Sequence, residues 1–242
     1  MTCSDKERAA GVYQRPGKFC SGQAIILFVR FPERGRVKTR LAEDIGEENA
    51  RVLSHYFVLD LLETLHCCNR FLHICYFPPG AGKEMQDWLG RQYSYMPQNG
   101  GTLGEKMRNA FHEVFRQGCE EALLMGSDIP DLPLAVIESA YSFTRHEAVI
   151  GPSRDGGYYL IGFRKESFLP EIFEGIDWGT ERVFKKTLEI FSRRNRKVGI
   201  LPLWQDVDRL EDLKALYQRN RNSPFAGSRT MTYLCGNPDL LR

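Results

Sequence analysis

The chain has 242 residues, of which 42% are hydrophobic and 12% aromatic, so one domain with a sizeable core is expected. Its formal net charge of +2 argues against a surface built to bind nucleic acid or an anionic membrane, and any basic function must be local. No apolar run approaches the ~20 residues that a membrane-spanning helix needs, so no membrane span is expected.

The predicted elements alternate between strands and helices along the chain. Short apolar or alternating runs predict strands, and apolar residues at helical spacing predict helices. The predicted strands cover residues 23–30, 70–76, 92–96, 121–127, 147–151, 157–163 and 197–201. The predicted helices cover residues 47–66, 81–90, 103–118, 133–143, 180–192 and 210–218. This alternation indicates an α/β fold with a mostly parallel sheet and helices on both faces.

Three regions are expected. Residues 1–20 are polar, lack the apolar segment of a signal peptide and are predicted to form a mobile extension. Residues 21–221 are predicted to form one domain, and residues 222–242, which show no clear period, an irregular tail. The seven cysteines are odd in number and include no CxxC pair, which argues against a zinc site. They fit a reducing compartment, and a cytoplasmic location is expected.

A cationic loop follows the first predicted strand. Its members are Arg30, Arg34, Arg36, Lys38 and Arg40. Arginine forks and a lysine ammonium suit phosphate oxygens, and ligands of parallel sheets bind outside the carboxyl ends of the strands. The spacing is not that of a P-loop. The alternative is a solvated loop whose cations balance the acidic residues at 43–48, and spacing alone leaves both interpretations open.

A glycine-rich segment, NGGTLGEKM, precedes the helix predicted at 103–118. Gly101 and Gly104 flank Thr102 and Glu105, which have the spacing of a capping box. The segment therefore predicts a helix start. The glycines would also let a ligand approach the backbone closely.

Acidic residues follow three later strands. Asp128 in GSDIPDLP could hold Mg²⁺ or Mn²⁺, which prefer carboxylate oxygens, or could cap the next helix, although Asp131 is the better cap candidate. Asp206 and Asp208 alternate on an extended segment and share a face, so Asp208 could be a second metal ligand or a helix cap. Asp155 begins a DGG turn that could be a simple hairpin or a contact for a sugar or nucleotide.

These motifs together carry a resemblance to a known family. GRVKTRL, GTLGEKM, GSDIPDLP, GPSRDGGYYLIG, IDWGTERV and DVDRLEDL occur in the order seen in the bacterial DUF2064 group, also called rSAM/selenodomain-associated transferase 1 or arsenosugar-biosynthesis-type glycosyltransferase. The match spans about residues 23–217. The group resembles nucleotide-diphospho-sugar transferases of the GT-A fold, and the KTRL piece is also similar to phospholactate guanylyltransferases.

The resemblance implies one Rossmann-like domain that binds a nucleotide or nucleotide sugar, a small-molecule acceptor and a divalent metal, Mg²⁺ or Mn²⁺. The aspartates that match Asp128 and Asp208 would bind the metal, and Lys38, Arg40 and Asp128 are the catalytic candidates. The candidates for binding nucleotide phosphates are Arg30, Arg36, Lys38, Arg40, Gly101 and Gly104. The candidates for binding the substrate are Asp155, Gly156, Gly157 and Trp178.

Three functions remain open at this point. A glycosyltransferase would release a nucleoside diphosphate from a nucleotide sugar. A nucleotidyltransferase would release pyrophosphate from a nucleoside triphosphate, and the same cations and carboxylates would serve it. The third is a nucleotide-binding module without turnover, because no histidine lies in a motif. The base, the sugar, the acceptor and the oligomeric state are not predicted.

Overall fold

The computed structural model describes residues 22–142 and 146–242, so the extension predicted at residues 1–20 lies outside the described residues. In the described part, one sheet of seven strands has the order β3-β2-β1-β4-β6-β5-β7. The strands are β1 Gly22–Arg30, β2 Phe71–Phe77, β3 Ser94–Pro97, β4 Cys119–Gly126, β5 Ala148–Pro152, β6 Tyr158–Arg164 and β7 Val198–Ile200.

The sheet is mostly parallel, as predicted. β1 lies between β2 and β4 and is parallel to both, and the pairs β2–β3 and β5–β7 are also parallel. β6 is antiparallel to its neighbours β4 and β5. β6 must run antiparallel to β5 because only the turn at 153–157 joins them. A parallel crossover between two neighbouring strands needs a dozen or more residues.

Helices cover both faces of this sheet, which confirms the predicted α/β architecture. The α-helices are α1 Thr39–Ile45, α2 Glu47–His66, α3 Gly82–Leu89, α4 Leu103–Arg116, α5 Leu134–Ser142, α6 Val183–Arg193, α7 Leu210–Asn220 and α8 Arg229–Gly236. On β1, Ile25 and Leu27 face one core with α2, α3 and α5, whereas Ala24 and Ile26 face the other with α4 and α6. This split follows from the alternation of side chains along a strand.

The prediction of an irregular tail at 222–242 was wrong. α8 lies in this segment and buries Met231 and Leu234 in a third core with α1, α2 and α7. The buried carboxylate of Asp60 on α2 accepts hydrogen bonds from the backbone N–H groups of Arg229 and Thr230, at 3.0 and 2.9 Å. A partner distant in sequence thus satisfies the first N–H groups of the short helix, which periodicity alone did not indicate.

No helix within residues 22–142 and 146–242 is long and apolar enough to cross a bilayer. The cytoplasmic location stays a prediction.

Candidate active site

A cleft of about 600 Å³ opens at the carboxyl ends of β1 and β4. β1 pairs with β2 on one side and with β4 on the other. The connection that follows β1 therefore leads to one side of it, and the chain later returns to the other side. Ligands of open α/β sheets bind at such a switch point. The residues that line the cleft come mainly from the end of β1 and the segment 36–40, the end of β4 and the loop after it, α4, the β5–β6 turn with the start of β6, residues 178–180, and Asp206 and Asp208.

The segment 204–208 crosses the carboxyl edge of the sheet and brings the acidic strand ends together. The N–H of Trp204 donates to the carbonyl of Pro152 at the end of β5, at 3.1 Å. The N–H of Val207 then donates to the carbonyl of Asp128 after β4, at 2.9 Å. Asp206 and Asp208, whose side chains were predicted to share one face of an extended segment, therefore line the same cleft as Asp128.

Asp131 holds this crossing segment in place. Its buried carboxylate accepts hydrogen bonds from Nε of Arg219 and Nδ2 of Asn220, both at 2.6 Å, and from Nε1 of Trp204 at 3.2 Å. Arg219 and Asn220 belong to α7, so one carboxylate links the loop after β4 to α7 and to the segment 204–208. The carboxylate of Asp131, predicted as a helix cap, serves this tertiary contact instead.

Lys38 lies between the two predicted metal ligands, Asp128 and Asp208. Its Nζ is 2.7 Å from an oxygen of Asp128 and 2.9 Å from an oxygen of Asp208, and its side chain is only 4% exposed. Its backbone has φ 47° and ψ 45°, the left-handed region that few non-glycine residues adopt. The side chain of Lys38 is thus buried, whereas Arg36 and Arg40 on either side are exposed.

The electrostatics of this trio favour the ion pairs. Burial alone acts to lower the pKa of Lys38, but Asp128 and Asp208 outweigh burial and hold that pKa above its ordinary value. Burial acts to raise the pKa of Asp208, and Lys38, with help from Arg40 and Arg209, holds it below its usual range. Asp208 does not cap α7, because Asp212 accepts from the N–H groups of Asp208 and Arg209 at that helix start.

Asp206 differs from Asp208 although they are two residues apart. Burial raises the pKa of Asp206 to about 6, and the nearby carboxylates of Asp155 and Asp208 act in the same direction. A 2.7 Å hydrogen bond from the hydroxyl of Ser153 opposes the shift. The sequence predicted that Asp206 and Asp208 share a face but could not separate their environments.

The segment 30–40, predicted as a cationic loop, begins with the last residue of β1 and ends in the first turn of α1, and its remaining cations fall into two groups. Arg30, Arg36 and Arg40 line the cleft together with Lys38. Arg34 does not line it and instead pairs with Glu47 at 3.1 Å on the exposed surface. The interpretation of a solvated loop therefore applies to Arg34.

The other half of the cleft is aromatic and acidic. Asp155 and Gly157, from the β5–β6 turn, line it together with Tyr158 and Trp178. The turn is a hairpin, and it also lines the cleft beside the loop that carries Asp128, so the two interpretations of DGG are compatible. The rings of Tyr158 and Trp178 are nearly perpendicular, with centroids 6.2 Å apart.

Three predicted site residues are not among those that line the cleft: Gly101, Gly104 and Gly156. The capping box at Thr102 and Glu105 is present, which confirms the helix start. A Cβ on Gly104 would lie 2.7 Å from Nε1 of Trp178, so this glycine admits the indole. Gly156 has φ +87°, and a Cβ there would lie 2.2 Å from the carbonyl oxygen of Glu181.

Several residues that line the cleft were not predicted: Gln98, Leu103, Met107, Ser127, Tyr158 and Thr180. Apart from Tyr158, none carries a local signal, because side chains of these types are common in any core or loop. Tyr158 directly follows the DGG turn, and its place at the start of a strand at the cleft was the one available indication.

The carboxylates fit a divalent cation only in part. Asp128 and Asp208 have side chains that are 49% and 41% exposed, so each can offer oxygen atoms to the cleft. No group of three or more His, Cys, Asp or Glu residues placed to hold a metal occurs among the described residues. Mg²⁺ is often held by one or two carboxylates together with substrate phosphates. The carboxylates of Asp128 and Asp208 fit such a shared site. The ammonium of Lys38, which already pairs with both, would compete with the metal for them.

Comparisons with known proteins agree with this architecture. A family model described as an uncharacterized protein conserved in bacteria (DUF2064) matches residues 59–180. The crystal structure of a protein from Desulfovibrio desulfuricans G20, assigned as a nucleotide-diphospho-sugar transferase, is 44% identical, with a TM-score of 0.89 over 92% of this chain and 97% of that chain.

More distant relatives are named as nucleotidyltransferases. The 2-phospho-L-lactate guanylyltransferase of Methanocaldococcus vulcanius is 24% identical over 189 residues, 75% of this chain and 78% of the relative. The inositol-1-phosphate CTP transferase of T. maritima is 13% identical, with a TM-score of 0.54 over 86% of this chain and 98% of that chain. The likeness to the second protein is one of fold.

Proposed function

The chain belongs to the DUF2064 family, and from this membership and the geometry of the cleft we propose that it is a metal-dependent nucleotide-diphospho-sugar transferase. In this proposal a nucleotide sugar donates its sugar to a small-molecule acceptor. The observation that carries it is the cleft itself, in which the cations of the β1–α1 loop face Asp128 and Asp208 at the switch point of the sheet. The 44% identical structure assigned to this class of enzyme supports the same conclusion.

The cations would bind the diphosphate of the donor. Arg36 and Arg40 are exposed at the cleft, and the guanidinium of Arg30 is held there by a 3.1 Å hydrogen bond to the carbonyl of Arg36. Charge-assisted hydrogen bonds to phosphate contribute about 1.5–3 kcal/mol each. As the bond to the sugar breaks, negative charge builds on the leaving diphosphate, and cations already in place stabilise it without reorganising.

Asp128 and Asp208 would hold Mg²⁺ or Mn²⁺ together with the donor phosphates. When bound, the metal would supply a further positive charge to the leaving group. Lys38 already neutralises part of the charge of both carboxylates, so we expect it to turn towards the phosphates when the donor and metal arrive. The chain's own contribution is to orient the diphosphate between Arg40 and the two carboxylates.

Nucleotidyl transfer is the second candidate. It is favoured by the 24% identity to a 2-phospho-L-lactate guanylyltransferase over 75% of this chain. In that reaction the cleft's cations would bind the pyrophosphate that leaves a nucleoside triphosphate. A module that binds nucleotides without turnover is the remaining alternative.

The products distinguish these functions. The protein is incubated with Mn²⁺ or Mg²⁺, a mixture of small acceptors and either nucleotide sugars or nucleoside triphosphates of each common base. Release of a nucleoside diphosphate supports glycosyl transfer, and release of pyrophosphate supports the second candidate. Binding of nucleotides, seen as a rise in melting temperature, without either product would leave only the binding module. No shift and no product with any nucleotide would contradict all three.

A further inference from the structure

The two halves of the cleft differ in charge. Every lysine and arginine that lines the cleft, among the described residues, comes from the segment 30–40. The other half, which we call the acidic half, is formed by Asp155, Asp206, Tyr158, Trp178 and Leu103. The two halves lie at different strands of the sheet. Asp206 accepts a hydrogen bond from Ser153, which directly follows β5, whereas the cations lie at the end of β1 and just after it. Between those two strands the sheet has β4 and β6.

The carboxylates of the acidic half lack a neutralising partner in the described part of the chain. Asp155 accepts a 2.9 Å hydrogen bond from the N–H of Gly157, and Asp206 accepts from the hydroxyl of Ser153 at 2.7 Å. Both partners are neutral and leave oxygen lone pairs towards the cleft. A phosphate or carboxylate placed here would meet two like charges and no cation of the cleft lining, which is unfavourable in a partly desolvated site. Hydroxyl groups would find acceptors.

An aromatic and aliphatic wall stands beside these acceptors. The half-buried indole of Trp178 packs on the backbone of Gly104, where any side chain would collide with it, so its position is fixed by close packing. Leu103 also lines the cleft beside Gly104 and is 45% exposed, so it can offer apolar surface to a ligand. A pocket that combines an apolar wall with a few convergent polar groups is the usual form of a small-molecule site.

We propose that the acidic half binds a neutral sugar ring and discriminates against phosphorylated or carboxylated rings. The hydroxyl groups of the ring donate to Asp155 and Asp206, and its C–H face packs on Trp178. The inference rests on the proposed function and adds the charge class of the sugar to it. The ring is either the sugar of the donor or a sugar acceptor, since both offer the same hydroxyl groups.

The test has two arms, both measured on the full chain. In the first, isothermal titration calorimetry with Mn²⁺ compares each nucleoside diphosphate with its hexose-linked and uronic-acid-linked forms. In the second, saturation-transfer NMR compares methyl glucoside with glucose 6-phosphate, with and without nucleoside diphosphate. The first arm reports a donor sugar and the second a sugar acceptor.

We expect at least ten-fold tighter binding of the hexose-linked form than of the diphosphate, or binding of methyl glucoside but not of glucose 6-phosphate. Asp155→Asn keeps an acceptor for the N–H of Gly157 and removes the charge. It should lessen the discrimination against the uronic acid or the sugar phosphate at least five-fold. In Trp178→Leu, the hexose-linked form should bind no more tightly than the nucleoside diphosphate, because the wall against which the ring packs is lost. The matched control is Asp177→Asn, an exposed aspartate next to Trp178 that does not line the cleft and should behave as the parent.

Three outcomes would overturn the inference. One is that the hexose gives no gain and the neutral glycoside does not bind. Another is that the charged rings bind as well as the neutral ones. The third is that Asp155→Asn and Asp177→Asn behave alike. If no nucleotide binds at all, the proposed function fails, and the glycoside arm without nucleotide still decides this inference.

Discussion

The ammonium group of Lys38 lies 2.7 Å from a carboxylate oxygen of Asp128, although one residue follows β1 and the other follows β4. The adjacency of β1 and β4 in the sheet makes this contact possible. The ammonium occupies the space between Asp128 and Asp208 where the resemblance had placed a metal. A divalent cation must therefore compete with a lysine that is already paired, and phosphates that attract the lysine would ease that competition.

Lys38→Met should tighten the binding of Mn²⁺ in the absence of nucleotide by about ten-fold, or ~1.4 kcal/mol. The substitution removes the cation and keeps an apolar side chain of similar length, which leaves two neighbouring carboxylates to attract a metal. Binding is measured by electron paramagnetic resonance of free Mn²⁺. Lys186→Met, which removes a half-buried lysine paired with the exposed Asp177, is the control and should not change the affinity. Equal affinities in the parent and Lys38→Met would contradict the competition.

Arg40→Ala should weaken the binding of nucleoside diphosphates by about ten-fold, with similar losses for every base that binds. The reason is that a phosphate contact does not read the base. Calorimetric titration measures the effect. Arg34→Ala is the matched control, because Arg34 lies six residues earlier in the same cationic segment and pairs with Glu47 outside the cleft. If both variants bind nucleotides as the parent does, the loop does not contact phosphates.

Asp131→Ala should lower the free energy of unfolding by about 3 kcal/mol or more, because it leaves the hydrogen-bonding groups of Arg219 and Asn220 without their acceptor. Urea denaturation followed by circular dichroism measures the change. The comparison is Asp239→Ala, which removes an exposed ion pair with Arg242 and should cost less than about 1 kcal/mol. Similar small losses in the two variants would show that Asp131 does not hold the crossing segment.

The stability of the protein should fall as the pH drops from 6.5 to about 4, in part because of His73. This histidine is buried on β2, and burial lowers its pKa from the ordinary value of 6.5 to about 4. In that window the unfolded chain binds the proton and the folded chain does not, so protonation favours unfolding by up to about 3 kcal/mol. The stability contribution is complete above pH 6.5.

The measurement is urea denaturation at several pH values. His73→Leu removes the titrating group, and its stability should change less than that of the parent between pH 6.5 and 4. The same pH profile in both proteins would exclude His73 as the cause.

Gly104→Ala should destabilise the protein by about 1–3 kcal/mol, the usual cost of overpacking. The added Cβ would lie 2.3 Å from the carbonyl oxygen of Phe173 and 2.7 Å from Nε1 of Trp178. Thermal unfolding gives the stability, and tryptophan fluorescence reports the displaced indole. Gly236→Ala, at the end of α8 with no atom within 4 Å of the added Cβ, is the control and should lose no stability. An unchanged emission spectrum in Gly104→Ala would contradict the packing role.

In the described part of the chain, the local pattern sufficed for the seven strands, for six of the eight α-helices and for their order, but not for α1 and α8. Strands such as 23–30 and 121–127 were found within two residues of their ends, because the apolar side chains that form them are consecutive. α8 was missed, since a short helix that depends on Asp60 of α2 has little signal of its own. The capping box at Thr102 and Glu105 was predictable because both partners are within one helical turn.

The candidate site, like the fold, was predictable from the sequence only in part. The sequence by itself determined which charged residues follow the strands, and hence that cations and carboxylates would meet at one edge of the sheet. Only the tertiary structure decided that Lys38 is buried between Asp128 and Asp208, that Asp131 serves α7, and that Gly104 lies under Trp178. The physical reason is that a residue's type and spacing are local, whereas its burial and partners depend on segments up to 170 positions away, as for Lys38 and Asp208. The pairing of strands brings such segments together.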